Sequence, residues 1–172
     1  MKWANGQVNN DNNNSFKPDF LVYNLSGSVK CIALIAEFKP TEQNSYVESD
    51  LVKLAKQMKA ILNKLITSGV IKPKVCGIHC EGENVHTYVI ALPSSKLYRM
   101  TNASKVKLFK NLNQISLLPN IITHMLRLKG VASETAVHYS YSNLKRSVPL
   151  SPLNWLSNDN VVLSRVPKRQ KK

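Results

Sequence analysis

A chain of 172 residues, 43% of them hydrophobic, is long enough for one buried core and too short for two of ordinary size. Its 24 Lys and Arg residues outnumber 10 Asp and Glu, and the formal charge of +14 favours polyanions such as nucleic acid as partners. The alternative is a basic surface that only keeps the protein soluble. No apolar signal segment or membrane-length apolar run occurs. We therefore expect an intracellular protein with no membrane partner, and DNA is favoured over RNA.

The two ends of the chain differ in composition from its middle. Residues 1–15 are rich in Asn and carry almost nothing to bury, so we expect a disordered arm there. The α/β domain is expected over residues 16–130, and an irregular basic tail over 131–172. The tail ends in the basic cluster 168–172, which suits nuclear import or contact with nucleic acid.

Two β-rich segments open the domain. Residues 20–25 and 29–38 are rich in β-branched and aromatic residues, and a Ser-Gly-Ser turn signal separates them. This pattern predicts an antiparallel hairpin. The second segment is apolar on both alternating faces, which is typical of a strand in the middle of a covered sheet.

Helix and strand signals then alternate. A capping box of Ser45 and Glu48 precedes apolar residues at helical spacing, and Gly69 closes this helix at 46–67. A second hairpin is predicted over 75–80 and 85–92, a short strand over 97–100, and a helical region over 105–129 with a new helix beginning near Pro119. We therefore predict an α/β (α+β) fold with a mixed, largely antiparallel central sheet flanked by helices.

Three charged residues mark the ends of the first hairpin. Glu37 and Lys39 lie two apart on a strand and so share a face. With a three-residue turn, Asp19 falls opposite Ile35 and diagonally beside Glu37, near enough for the two carboxylates to reach one cation. A two-residue turn is expected to send Asp19 to the other face and remove the site.

This arrangement suits a hard divalent cation. Mg²⁺, or Mn²⁺ in its place, prefers oxygen ligands and keeps several waters, so Asp19, Glu37 and the backbone carbonyl of Phe38 are its candidate ligands. Lys39 would then orient an attacking water or stabilise charge on phosphorus. The competing interpretation is an exposed Glu37–Lys39 pair of little energetic value beside a turn at Asp19.

At these residues the chain resembles the PD-(D/E)XK, or restriction-endonuclease-like, nuclease superfamily. Asp19 matches the aspartate that the superfamily carries on one strand, and Glu37 and Lys39 match the acid-x-Lys element of the next strand. The helix from Ser45 falls where the superfamily places a helix. The resemblance implies an α-β-β-β-α-β core, of which this chain is expected to lack the first helix and strand. Residues 50–59, 75–82 and 97–100 are also similar to uncharacterised fungal proteins with the same acid-x-Lys strand and a Lys-rich helix.

The resemblance implies Mg²⁺-dependent phosphodiester hydrolysis by a nuclease-like domain of mobile-element type, intact or degenerate. The alternative is a non-catalytic module that binds nucleic acid or protein and retains the fold. Gln57 and Lys53 are accessory candidates on the helix. The candidate phosphate contacts are Lys17, Lys56 and Lys59.

The cysteines and histidines offer another hypothesis. Cys76, His79, Cys80 and His86 include zinc-ligand residue types, but the two cysteines share one strand face and His79 points to the other. Buried reduced thiols and histidines on the hairpin surface are therefore the favoured interpretation. His124 and His138 are expected to be structural.

Overall fold

The computed structural model describes residues 2–4, 8–9, 15–26, 29–39, 47–145 and 153–157. Two α-helices lie in this part of the chain, α1 (Val47–Thr67) and α2 (Leu118–Lys145). Short 3-10 helices lie at Leu112–Leu117 and Leu153–Trp155. The strands of the same part are β1 (Lys2–Ala4), β2 (Val8–Asn9), β3 (Ser15–Phe16), β4 (Phe20–Ser26), β5 (Val29–Lys39), β6 (Val75–Glu81), β7 (Asn84–Ser94) and β8 (Leu97–Lys107).

Six strands form one mixed sheet in the order β1-β4-β5-β6-β7-β8. Strands β5 and β6 are parallel, and α1 is the crossover that joins them. The other neighbouring pairs of this sheet are antiparallel. The predicted fold class, a mixed and largely antiparallel sheet flanked by helices, is therefore confirmed. Strands β2 and β3 pair separately.

Helix α1 buries one apolar stripe against the sheet. Leu54, Met58 and Leu62 are fully buried in the largest core cluster, whereas Lys56 is exposed. Gly69 ends the helical segment as predicted, with a left-handed φ of 80° that suits glycine. Ser45 and the Glu48 side chain lie outside the described residues, so the predicted capping box does too.

Helix α2 covers the opposite face. Leu128 and Ala132 pack with Ala33, Leu34 and Cys76 in a second core cluster. Alternation along β5 explains the two layers, because Ile35 belongs to the α1-side cluster and its neighbour Leu34 to the α2-side cluster. No helix in the described part of the chain combines the length and apolarity needed to cross a membrane.

The helical prediction over 105–129 was wrong at both ends. Its first residues belong to β8, which runs to Lys107, and α2 continues to Lys145 instead of ending near 129. The extension was missed because its buried positions are mostly small or polar, namely Ala132, Thr135 and Ala136. Such residues give a weak hydrophobic period. A helix does begin beside Pro119, where a missing N–H is tolerated.

The N-terminal segment contains strands where the sequence indicated a disordered arm. Residues Lys2 to Ala4 pair antiparallel with β4, from Lys2↔Tyr23 to Ala4↔Leu21. Main-chain hydrogen bonds to the edge of β4 need no buried side chains, so composition carried no signal for this strand. Strand β1 therefore precedes β4 in the sheet. From the sequence we expected no strand before β4, because the first strand of the core was expected to be lacking.

Because of the buried thiols, the free energy of unfolding is expected to depend on pH in the alkaline range. Cys31 and Cys76 are buried and free, and burial raises their pKa from 9.0 to about 12. Above pH 9 the unfolded chain releases these protons while the folded protein keeps them. We therefore expect the free energy of unfolding to fall as the pH rises from 9 towards 12. Urea denaturation at pH 8 and pH 10 measures the fall, which should shrink in a Cys31→Ala/Cys76→Ala variant; an unchanged fall would contradict this origin.

Candidate active site

The turn of the first hairpin is shorter than predicted. Ser26 pairs with Val29, so two residues separate the strands in sequence instead of three. With a regular ladder from this turn, Asp19 would oppose the residue before Glu37 and the two carboxylates would face opposite sides of the sheet. The three-residue turn in our prediction was therefore wrong.

A β-bulge restores the shared face. The register shifts between Val22 and Tyr23, which pair with Leu34 and Ile32, so Ala33 is the extra residue. Beyond the bulge the pairs run to Phe20↔Ala36. Extending this register by one residue places Asp19 directly opposite Glu37, which is closer than the diagonal relation predicted.

The three motif residues lie on the α1 side of the sheet. Leu21 and Ile35 both belong to the core cluster that contains the α1 side chains. Asp19 is two residues before Leu21, and Glu37 and Lys39 follow Ile35 at the same spacing, so alternation assigns all three to that side. This is also the side of the ion pairs with α1 described below.

Asp19 holds the backbone at the end of the motif strand. The Phe38 N–H donates to Asp19 Oδ2 at 2.8 Å. The Asp19 carboxylate thus supplies the acceptor that a carbonyl of the neighbouring strand would otherwise supply to this N–H. In the extended register Pro18 would face Phe38, and proline has no N–H to donate to the Phe38 carbonyl. The N–H and carbonyl of one strand residue point to the same side, so the Phe38 carbonyl also lies on the β4 side.

Glu37 is buried and held by two donors from α1. Its residue exposure is 5%, and its Oε1 and Oε2 accept from Gln57 Nε2 and Lys53 Nζ, each at 2.8 Å. Lys53 and Gln57 are four residues apart and so share a helix face. The two accessory candidates are therefore both brought to the carboxylate of Glu37.

Lys39 pairs with a residue that sequence reasoning missed. Its Nζ lies 2.8 Å from Asp50 Oδ2, and the Lys39 side chain is 38% exposed. The spacing of Asp50, Lys53 and Gln57 places them on one face of α1 at i, i+3 and i+7, which is the signal that would have found Asp50. The lysine that would assist hydrolysis is thus oriented by the helix.

Buried polar atoms without a hydrogen bond concentrate at this place. Within the described ranges, three buried side-chain atoms have no hydrogen-bond partner: Asp50 Oδ2, Gln57 Oε1 and His79 Nε2. The Lys39 ammonium lies 2.8 Å from Asp50 Oδ2 and satisfies it, so Gln57 Oε1 and His79 Nε2 are the unsatisfied atoms of the three. Leaving a buried polar group unsatisfied costs about 1–3 kcal/mol, so such groups call for a functional explanation.

His79 lies beside Glu37 and not on the surface. The β5–β6 register pairs Glu37 with His79 and Lys39 with Glu81. His79 is 2% exposed, so its interpretation as a surface histidine of the hairpin was wrong. Four of the ten acidic residues of the chain therefore lie at this end of the sheet, although the chain carries a charge of +14. They are Asp19, Glu37, Asp50 and Glu81.

The next strand adds a second histidine to this row. His86 of β7 is paired with His79 in the antiparallel register, and its ring stacks with Tyr88 at a centroid distance of 6.4 Å. Burial lowers the pKa of His86, the positive charge of Lys105 lowers it further, and the negative charge of Glu81 opposes these two causes. Both causes favour an uncharged imidazole at this position.

The lysines predicted to contact phosphate are Lys17, Lys56 and Lys59. Lys17 and Lys56 are exposed, and the Lys59 ammonium lies 4.7 Å from the centroid of the Tyr98 ring. Contact of these lysines with nucleic acid stays a prediction.

The zinc hypothesis gains no support. Cys76 and Cys80 pack with Ile78 on the α2 side, and His79 lies on the other face, as predicted. No group of three or more His, Cys, Asp and Glu residues in the described part is arranged to hold a metal ion. A cation at Asp19 and Glu37 would therefore depend on a backbone carbonyl and waters for the rest of its shell.

Comparisons of this chain with protein-family models, curated proteins and solved structures found no match.

Proposed function

We propose that this protein hydrolyses phosphodiester bonds in nucleic acid with the help of a divalent cation. The observation that carries the proposal is the convergence of Asp19, Glu37 and Lys39 on one side of the sheet at the end of β5. This is the arrangement implied by the resemblance to the PD-(D/E)XK nucleases. It lies at the carboxyl end of the parallel strands β5 and β6, where open α/β sheets commonly bind ligands.

The residues present fit a bound Mg²⁺ or Mn²⁺. A local surplus of carboxylates in a basic protein and an unsatisfied Gln57 Oε1 are features that a cation with its waters would compensate. Asp19, Glu37 and the Phe38 carbonyl would hold it. When bound, such an ion neutralises developing charge and acidifies a coordinated water.

The side chains have distinct tasks in this proposal. Glu37 is fixed by Lys53 and Gln57, so its carboxylate is preorganised. Lys39 is part-exposed and held by Asp50, which keeps its ammonium beside the site while leaving it accessible to a phosphate. Its positive charge would stabilise the anionic pentacovalent phosphorus and orient the attacking water.

The charge of +14 supports a polyanionic substrate, and DNA is the favoured one. Lys17, Lys56 and Lys59 are the proposed backbone contacts. An intracellular, nuclear location accords with this function and with the basic cluster at 168–172, which lies outside the described residues.

One observation favours a second candidate, a non-catalytic module that binds nucleic acid. Glu37 and Lys39 each have an ion-pair partner on α1, namely Lys53 and Asp50. Such pairs can fasten the helix to the sheet without any chemistry. A degenerate site would keep these two ion pairs and lose cation binding.

Replacing Lys39 separates the two candidates. We expect wild-type protein to cleave plasmid or single-stranded DNA in Mg²⁺ or Mn²⁺, and Lys39→Met to cleave at least about 100-fold more slowly because the phosphate loses its ammonium. Lys74→Met is the matched control, since Lys74 is similarly exposed at 42% and also ion-paired, with Glu134 at 3.3 Å.

Gel-based cleavage rates and filter-binding affinities are measured on the same preparations. Equal cleavage by all three proteins would indicate a contaminating nuclease and contradict the proposal. Binding without cleavage by the wild type would establish the non-catalytic module instead.

A further inference from the structure

Helix α1 crosses the sheet diagonally. Its first half lies at the end of β5, where Lys53 and Gln57 donate to Glu37. Its second half lies at the start of β8, where Asn63 accepts from the Tyr98 hydroxyl. Within the described residues, α1 therefore does not cover the corner that the first half of β7 and the second half of β8 form on this side of the sheet.

A row of register partners leads from the proposed site into this corner. Glu37 pairs with His79, His79 with His86, and His86 with Lys105, so the row shares the α1 side of the sheet. Neighbouring strands are about 4.8 Å apart, which places the His86 backbone about 10 Å from that of Glu37. This distance equals about three nucleotides of a stacked strand, which rises about 3.4 Å per nucleotide.

The side chains of the corner combine aromatic rings with a polar and a basic group. The half-buried rings of His86 and Tyr88 are nearly parallel, with 15° between their planes. Asn102, the register partner of Tyr88, is exposed, and its Nδ2 lies 3.5 Å from His86 Nδ1. Lys105 is exposed and has no ion-pair partner among the described residues. We call these four residues the β7–β8 corner.

These groups match the two parts of a nucleotide. Aromatic rings stack on the flat face of any base, and an ammonium contacts the phosphate. The lowered pKa of His86 keeps its imidazole uncharged at neutral pH, so this ring contributes a flat face and not a charge. The base faces inside a duplex are already stacked on one another, so only unpaired bases can contact the two rings.

We propose that the β7–β8 corner binds single-stranded DNA, with unpaired bases stacked on His86 and Tyr88 and a phosphate at Lys105. The proposal rests on the proposed function, because it names the form of nucleic acid that enters the same site. The charge of +14 attracts single strands and duplexes alike, so the selection between them comes from the rings. The bond cleaved at Glu37 and Lys39 then lies about three nucleotides from the stacked bases.

Binding in EDTA tests this assignment without any cleavage. Fluorescence anisotropy should show that the full-length wild type binds labelled oligothymidylate at least about 10-fold more tightly than a duplex of the same length. Tyr88→Leu keeps an apolar side chain on the core but removes the stacking ring. It should weaken single-strand binding about 5- to 150-fold and duplex binding less than about twofold.

The matched control is Tyr23→Leu. Tyr23 is also half-buried and packs against the same core cluster as Tyr88, but it lies on β4, three strands from β7. Both affinities of this variant should stay within about twofold of the wild type. A folded Tyr88→Leu protein that binds the single strand as tightly as the wild type would overturn the proposal.

A second measurement needs no variant to fold. Oligothymidylate that carries iododeoxyuridine is irradiated on the wild-type protein, and mass spectrometry locates the residue to which the base is joined. The adduct is expected at Tyr88 or His86, and adducts confined to residues outside the β7–β8 corner would overturn the proposal.

Cleavage by the same preparations separates this proposal from the proposed function. If the corner fails both tests while Lys39→Met still slows cleavage, the proposed function stands and only the assigned DNA contact is refuted. If the corner passes both tests and the wild type cleaves no DNA, hydrolysis is refuted and the corner stands as the binding surface of a non-catalytic module.

Discussion

Replacing Glu37 with Gln is expected to lower cation-dependent cleavage of nucleic acid by about 100-fold or more, because a neutral amide is a far poorer ligand for a divalent cation. The substitution preserves size, so the surrounding backbone should stay in place. Two donors, Lys53 Nζ and Gln57 Nε2, converge on the two carboxylate oxygens. An amide offers one oxygen to them, so Gln57 must turn its own amide to accept from the new NH₂ group, and Gln57 Nε2 then loses its acceptor.

The same substitution therefore has a stability effect that must be measured separately. We expect a loss of about 1–3 kcal/mol in the free energy of unfolding, since a donor that met an acceptor becomes unsatisfied. Urea denaturation gives this value, and cleavage rates are compared where both proteins are folded. Glu134→Gln is the control, because Glu134 is also ion-paired with a lysine but is 55% exposed. Wild-type cleavage by a folded Glu37→Gln protein would contradict the assigned role.

Gly77→Ala is expected to destabilise the protein by about 1–3 kcal/mol through overpacking. A Cβ at Gly77 would lie 2.5 Å from Met58 Sδ and 3.3 Å from Leu54 Cδ2. Met58 is flexible, but it is fully buried, so it can move only by displacing other core side chains. Gly77 therefore sets how closely α1 approaches β6, and that approach positions Gln57 and Lys53 at Glu37.

The matched control is Gly130→Ala within α2, where nothing lies within 4 Å of the added carbon. Alanine is the better helix former, so this change should stabilise the protein by about 0.5–1 kcal/mol. Thermal and urea denaturation of both variants provide the comparison. Destabilisation by Gly130→Ala as large as that by Gly77→Ala would show that the loss is not caused by the α1 contact.

The elements with strong periodicity were predictable from the sequence. The stripe of Leu54, Met58 and Leu62 identified α1, and the apolar β5 segment identified a central strand. The extent of α2 was not predictable, because Ala132, Thr135 and Ala136 have little hydrophobic signal of their own. These positions are buried only because the sheet lies against them.

The site was partly predictable for a related reason. Local spacing places Glu37 and Lys39 on one strand face, and the accessory candidates Gln57 and Lys53 came from the resemblance and the predicted helix. His79 beside Glu37 depends on the parallel register of β5 and β6, which follows from how α1 packs. Residues 40–74 separate these strands in the chain, so no short-range pattern encodes their alignment.

The bulge in the first hairpin has a consequence for length variation. Ala33 is an extra residue on β5, so losing one β5 residue between the turn and the bulge can be absorbed by a regular ladder that keeps Asp19 opposite Glu37. Gaining one residue there would need a longer turn or a second bulge to keep the two carboxylates on one face. This hairpin therefore tolerates shortening better than lengthening.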